Sequence, residues 1–597
     1  MGIADQCSVL WIVYMVVFLD VAHDSNAALA DWKEDMDQFI EEVMQCRNVP
    51  GLSIALVSEG NVLLTQGYGN SETDPLQPTD ENTLFPIGSL TKSFTSAVIA
   101  DVLSQQEANV TWDTPVVKIL GPTFVLDGCF RTEETTLRDL LSHRVGLEED
   151  EILTVMGLDM NKDNFVRRVG HLKEKHPFRS QFYYSNFMYT LASKVAEYLA
   201  GDSYQELVKR RLFRPLGMTS SRLMDEFDSL TAVPNLAKGY GTSDKGEVFP
   251  YNIDTLSIVE VVDASGAIMS NAKDMATWMI FQLNGGKNSQ GRVVVKEDFL
   301  SETQKPQVSL HDPKVMDRSK YPVEDMKNDY GMGWIEGAYR GFRRLSHTGN
   351  IASYFSNIFL FPSEDTGVFV ALNGPMDERD AVAAMKTITW FVADNLLNEP
   401  PWMDSEGACK YPDPWVNSTQ PDSGANDPED AFPTVGDRSN SLDKYVGTYG
   451  HLAYGNLRVS FSESDIEDKH LRYTYGDYGS GRLYATNDEH TFKASIDGEL
   501  WYYGDNLHFN DKFPGGVYMK FKDAAFGVMQ SVNFPSIGNG NGPEFERDLL
   551  ASTTWTPISQ QCDGVSAGSE VKGHHLLTLA IYLAFFLSYI FDDGHPL

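Results

Sequence analysis

TLFPIGSLTKSFTSAVIADVLSQ, residues 83–105, is the point from which the rest of the chain can be read. A short extended piece, Leu84-Phe85-Pro86, leads through Gly88 to Ser89. From there Leu90, Phe94, Ala97, Val98 and Val102 recur at helical spacing with no proline, which predicts a largely buried helix with Ser89 at its N-cap or first turn. Lys92 follows three residues after Ser89, on the same face about one turn away. A serine hydroxyl is a weak nucleophile until its proton has somewhere to go. A buried lysine can serve, because burial lowers the pKa of its ammonium and its charge steers the proton. The helix N-terminus adds positive potential where an oxyanion would form.

The spacing alone is not specific. S-x-x-K occurs four times, starting at Ser89, Ser270, Ser441 and Ser569, so context must separate them. Ser441 opens no long helix and Ser569 lies in a polar spacer. Ser270 falls near the predicted start of the helix that includes Asp274 and Met275, but it lacks partners downstream.

Around the central stretch the pattern alternates between sheet and helix. Asp31 to Gln45 reads as an amphipathic helix. VPGLSIALVSEGNVLLTQGYGNSE, residues 49–72, reads as a hairpin turning at Glu59-Gly60-Asn61. TLRDLLSHRVGL, residues 136–147, reads as a short helix ending near Gly146. His143 within it is taken as a helix-end histidine satisfied by backbone. FYYSNFMYTLASKVAEYLAG, residues 182–201, turns at Ser185-Asn186 into a helix that stops at Gly201, which puts Tyr184 and Asn186 on a loop at the helix start. Y-x-N occurs three times, but the matches at Tyr68 and Tyr454 close strand-like runs, where a tyrosine usually packs. Phe355 to Phe361 and Val368 to Leu372 read as a hairpin. His347-Thr348-Gly349 lies on the strand before it and is the one H-x-G in the chain. A helix from Asp380 to Leu396 closes this region.

Composition then shifts. Residues 397–440 are rich in Pro, Asp, Ser, Asn and Gly and read as a linker. From 441 to 535, short alternating strands separated by turn residues predict an independent all-β barrel. Residues 536–575 read as a flexible spacer, and 576–591 as a hydrophobic tail. The apolar run from Cys7 to Leu19, with Ser25-Asn26-Ala27 after it, predicts a signal peptide over 1–28, although no Lys or Arg precedes Lys33. The tail, preceded by small residues and a polar spacer, suits a GPI signal or a tail helix, and so attachment to a membrane from outside. Asn109 and Asn417 head glycosylation sequons. The expected location is extracellular, secreted or held at the outer cell surface. Once the leader is removed, Cys46, Cys129, Cys409 and Cys562 remain, an even set suited to disulfides in an oxidising compartment. The chain has 597 residues, 42% of them apolar, and a formal charge of −36. This describes globular domains and argues against nucleic acid or an anionic membrane surface as partner. No zinc-type spacing of His and Cys occurs, so no metal is expected.

Ser89/Lys92, Tyr184/Asn186 and His347/Gly349 therefore fall in order on a helix start, a loop and a strand. In this order the chain resembles the serine β-lactamase and penicillin-binding-protein superfamily, in its class C and esterase-like branch, which uses S-x-x-K, Y-x-N and K-T-G or H-x-G. VPGLSIALV, YGMGW and RLFRPLGM are similar to flanking family segments, whereas Arg144-Val145 stands where the family usually has Thr-Ser. The resemblance covers roughly residues 35–395, and residues 442–534 resemble the lipocalin-like domain of some members. It implies an α/β (α+β) fold, an antiparallel sheet flanked by helices plus a helical subdomain over 29–396, followed by the barrel. It also implies a serine hydrolase that needs no cofactor and takes a small-molecule or peptide ester or amide. Ser89 would be the nucleophile, Lys92 its partner and Tyr184 the general base. Asn186, His347 and Gly349 would bind substrate, with His347 adding positive or hydrogen-bonding character beside Tyr184. The N–H groups of Ser89 and Asn350 would form the oxyanion hole. H-x-G in place of K-T-G turns the expectation away from β-lactams. A catalytically inactive binding protein on the same fold is the alternative.

Overall fold

The first hairpin folds as read. Strand β1 (Gly51–Ser58) pairs antiparallel with β2 (Asn61–Thr73), and the turn between them uses Glu59 and Gly60 at positive φ. The computed structural model describes residues 32–549, except 107–109, 159–160, 243–247, 312–319, 377, 417–441, 463–469, 504–516, 523, 526 and 538–540. The expected leader, spacer tail and apolar tail, and the sequons at Asn109 and Asn417, lie outside the described residues.

The hairpin belongs to a nine-stranded sheet. Its remaining members are β3 (Leu76–Pro78), β4 (Val308–Ser309), β5 (Asp325–Tyr330), β6 (Ile335–Tyr339), β7 (Phe342–Ile351), β8 (Tyr354–Phe361) and β9 (Thr366–Leu372), in the order β3-β2-β1-β9-β8-β7-β6-β5-β4. The two chain ends of the domain meet where β1 pairs with β9 (Leu52 opposite Leu372, Ile54 opposite Val370). Period-two alternation then splits the side chains between two cores. Leu52, Ile54, Leu56, Val368 and Val370 face one core with helix α1 (residues 32–46) and the helix Glu378–Leu396. Ala55, Val57, Phe369 and Ala371 face the other, with helix α2 (Thr91–Ser104) and the helix Ala272–Leu283. Both faces are covered, which is why β1, β8 and β9 read as nearly unbroken apolar runs. The helix α2 is buried from Thr91 through Leu103, so it passes through the interior rather than lying on it.

Two expected boundaries are corrected. The Pro/Asp-rich stretch does not begin as a linker, because Ser405–Lys410 is a short helix, and Met403, Ala408 and Tyr411 are buried in the first core. Cys409 there is disulfide-bonded to Cys46 of α1. The barrel is closed and eight-stranded, but it does not end at 535. Its last strand, Glu544–Arg547, pairs with its first, Gly447–His451, at Tyr449 and Arg547. That closing strand is short and polar on one face, so its sequence carries little strand signal.

Candidate active site

Ser89 lies in the single 3-10 turn Gly88–Leu90 that leads into α2. Of the two expected places, N-cap or first turn, Ser89 takes the turn. Leu90 occupies the cap position, with no side-chain bond to the helix, and the Ser89 hydroxyl turns to other partners. Lys92 Nζ donates to Ser89 Oγ at 3.0 Å, and Ser89 Oγ is 2.7 Å from the Tyr184 hydroxyl. Lys92 is fully buried. It also donates to Asn186 Oδ1 at 2.7 Å and to the Ser265 carbonyl at 3.0 Å. Acceptors on three sides match the three N–H donors of an ammonium. The same nitrogen stands 4.7 Å from the centre of the Tyr184 ring, within cation–π range.

Asn186 is the first residue of the helix Asn186–Ala200, which ends at left-handed Gly201 as its sequence predicts. Tyr184 is held just before it by His143. The His143 carbonyl accepts the Tyr183 N–H at 2.8 Å, and its Nδ1 accepts the Ser185 N–H at 3.0 Å. Its ring lies 4.3 Å from the Tyr184 ring. His143 is a helix-end histidine bonded to backbone through Nδ1, as expected, but its buried Nε2 meets no hydrogen-bond partner among the described residues, and the backbone it holds flanks the tyrosine at the site. The bond at Nδ1 puts the proton on Nε2, and complete burial drives the ring well below its ordinary pKa.

The departure at Arg144 is accommodated by Asp139. This carboxylate has no solvent exposure and pairs with Arg144 at 2.6 Å and with Arg179 at 2.6 Å. It also caps the helix Leu137–Leu141 through Thr136. Burial opposes its charge, but the two guanidiniums and Thr136 hold its pKa below the ordinary value. Asp139→Asn removes the charge and leaves both arginines uncompensated. Its expected cost is about 3 kcal/mol of stability, the low end for breaking a buried pair because Arg179 is partly solvated. Denaturant unfolding of the variant checks this.

The β7 strand brings the third motif. Gly349 lies so close to the Ser89 turn that a Cβ on it would stand 2.0 Å from the Ile87 carbonyl oxygen. Ser356 Oγ of β8 donates to that same carbonyl at 2.8 Å. Gly88, at φ +50°, faces the backbone of Asn350, whose nitrogen would be 2.9 Å from an added Cβ. The Ser89 turn and the Asn350 backbone thus meet beside the hydroxyl. His347 is corrected in one respect. Its Nδ1–H donates to the Thr348 carbonyl at 2.7 Å, and its Nε2 accepts from the Tyr330 hydroxyl at 3.0 Å. Its recorded side-chain partner is Tyr330 rather than Tyr184. Burial pushes its pKa down to about 3, helped by the charge of Lys92, so it is neutral and supplies no positive charge.

Buried neutral histidines make stability depend on pH. For His347 and His143 the folded pKa is depressed below the unfolded value, so the unfolded chain binds protons first as pH falls. Their contribution is complete above about pH 6.5 and is lost on acidification, towards about pH 3 for His347. Asp263, raised to about 6 by burial, acts in the opposite sense between 6 and its unfolded value. The expected result is a melting temperature that falls from pH 7 to pH 5, with a shallower slope in His347→Gln; thermal unfolding across that range measures both.

Ser89, Tyr184, Asn186, His347 and Asn350 line one cavity of about 620 Å³. Ser270 and Lys273 are elsewhere: Ser270 Oγ bonds Ser221 Oγ at 2.9 Å, and exposed Lys273 pairs with half-buried Glu81 at 3.0 Å. Ser441 and Ser569 lie outside the described residues. Sequence reasoning missed Ser265 and Tyr330 as site members. Ser265 acts through a backbone carbonyl, which has no side-chain signature, and Tyr330 stood in view in YGMGW without a stated partner.

Comparison with known proteins places the chain in a family. The family model described as Beta-lactamase matches residues 36–388. The chain belongs to the beta-lactamase family. Among its relatives, Unguisins hydrolase ungD' of Aspergillus campestris is 27% identical over 441 residues, covering 72% of this chain and 78% of that protein. Gigasin-6 of Magallana gigas is 25% identical over 276 residues, covering 46% of this chain and 90% of that protein. Among solved structures, the octameric penicillin-binding protein homologue from Pyrococcus abyssi has a TM-score of 0.50 at 21% identity. It covers 84% of this chain and 97% of that one, a likeness of fold. The beta-lactamase family is a hydrolase family.

Proposed function

We propose that this member of the beta-lactamase family is a serine hydrolase that cleaves an ester or amide through an acyl-enzyme on Ser89. One observation carries the reading: the Ser89 hydroxyl stands within hydrogen-bond distance of both Tyr184 and Lys92. With Lys92 donating to Ser89 Oγ and Tyr184 acting as its phenolate, the serine's own proton has the Tyr184 oxygen as its acceptor. Ser89 Oγ then bonds the carbonyl carbon and its proton passes to Tyr184. The carbonyl π pair moves onto the oxygen, which is met by the N–H groups of Ser89 and Asn350. Each such donor is worth about 3–4 kcal/mol of transition-state stabilisation. On collapse the leaving group departs with the proton from Tyr184. Water then adds to the acyl carbon, giving its proton to Tyr184, and Ser89 leaves with a proton restored. Asn186, fixed by Lys92, would bond the acyl-side amide, and His347 would hold the strand that carries Gly349 and Asn350.

The substrate would be a small molecule or peptide. The unguisins hydrolases, as their name says, act on unguisins, which supports hydrolysis without naming this chain's own substrate. Export is part of the proposal. The apolar leader supports it, and so does the Cys46–Cys409 disulfide, of a kind that persists in oxidising compartments. Attachment to the outer surface through the apolar tail is proposed with it. The test is a panel of chromogenic esters, D-aminoacyl amides and nitrocefin on the full chain. Turnover is expected on esters or amides ahead of nitrocefin; a folded protein inert to all of them is a binding protein instead.

A further inference from the structure

The catalytic cavity is not walled by the first domain alone. Leu500, buried on the 3-10 turn Gly498–Tyr503 of the barrel, lines it together with Ser89 and Tyr184. The two domains are joined tightly at this place. Asn252 Nδ2 donates to Glu499 Oε2 at 2.9 Å, and the Tyr478 N–H of the barrel donates to the Met156 carbonyl at 3.0 Å. At the same seam a Cβ on Gly476 would stand 1.6 Å from the Gly157 oxygen, so the two backbones touch with no room for a side chain. Buried apolar residues of both domains form one continuous core.

Residues 251–266 run from this seam to the nucleophile. At one end Asn252 meets the barrel, and at the other the Ser265 carbonyl accepts from Lys92, the same nitrogen that holds Asn186. Between them Leu256 and Val262 line the cavity, and Tyr251, Val155, Ile351 and Leu500 complete an apolar wall. The threonines on this wall have committed their protons: Thr154 Oγ1 donates to the Asp150 carbonyl at 3.0 Å, and Thr255 Oγ1 to the Asn252 carbonyl at 2.8 Å. Of the polar lining groups, Lys327, His347 and Thr348 come from the sheet, where β7 also carries Ile351 of the wall, and Glu149 lies on the loop before the helix Glu151–Val155. These hydroxyls have no proton left to donate, so a group placed on the wall is recognised mainly by contact and release of water.

We propose that this wall is a subsite for a bulky apolar acyl group, completed by Leu500, so that the substrates are esters or amides of hydrophobic acids. The inference rests on the acyl-enzyme reading above, in which Asn186 marks the acyl half of the substrate. Its test uses the full chain with p-nitrophenyl acetate, butyrate and octanoate, each preparation being titrated with a fluorophosphonate to count reactive Ser89. In the wild type kcat/KM per titrated site is expected to rise roughly tenfold or more from acetate to octanoate, the scale of discrimination by apolar pockets. Leu500→Trp fills the subsite and is expected to cut the octanoate-to-acetate ratio about tenfold. Leu500→Ala, which removes contact without adding bulk, is expected to lower the ratio less. A flat or falling series with normal titration overturns the subsite and leaves the nucleophile standing. A ratio unmoved by Leu500→Trp in titratable protein overturns the part given to the barrel. Protein that neither titrates nor turns over any ester overturns the acyl-enzyme reading, and the subsite with it.

Discussion

Ser89→Ala is expected to lower kcat by about a million-fold, to the level left by binding and the oxyanion donors, the scale seen when a serine nucleophile is removed. The change deletes one oxygen from a half-buried position on the 3-10 turn. The packing of α2 is untouched, because its buried residues begin at Thr91. Lys92 loses one acceptor but keeps Asn186 Oδ1 and the Ser265 carbonyl, so its charge remains solvated by the protein. The fold should therefore survive with at most a small change in stability. Loss of activity together with an unaltered unfolding transition is the expected pair of results, measured by steady-state kinetics and denaturant unfolding on the same preparation.

Tyr184→Phe is expected to cost about 10³–10⁴ in kcat, the upper range for a positioned general acid–base. It removes only the hydroxyl that stands 2.7 Å from Ser89 Oγ. The ring keeps its place against His143, and the backbone on either side stays bonded to His143. Because the nucleophile and the site's acceptors remain, KM should move far less than kcat. A loss confined to KM would mean that the hydroxyl binds substrate rather than carrying the proton. His347 is neutral with a pKa near 3, so Tyr184→Phe, and not His347→Gln, is expected to change the shape of the pH–rate profile above pH 5.

Much of this was legible in the sequence, for identifiable reasons. β1, β2, β8 and β9 carry local turn signals and apolar runs that depend on no distant contact, and their hairpins form where expected. The Ser89, Tyr184 and His347 segments could be ordered along the chain because each sits on a local element with a clear start. What was not legible depends on partners far away in sequence. His347 reads from sequence as adding positive or hydrogen-bonding character beside the tyrosine, and which of the two it has is set by burial and by Tyr330, 17 residues away. Arg144 looked like a defect of the motif until Asp139 and Arg179 were seen around it. The segment 403–411 read as linker by composition, and only packing against the α1 side of the sheet and the bond from Cys409 to Cys46 make it part of the domain. The wall supplied by Leu500 crosses a domain seam, which no local pattern encodes.

The central claim is that Lys92 and Tyr184 make one hydroxyl, that of Ser89, reactive enough to form a covalent acyl-type adduct. Peptide mapping by mass spectrometry after treatment with a fluorophosphonate tests it most directly. The expected result is a single adduct on the peptide containing Ser89, formed at least a hundredfold more slowly in Tyr184→Phe. An unlabelled Ser89 in folded protein, or labelling that proceeds equally fast without the Tyr184 hydroxyl, would contradict the account.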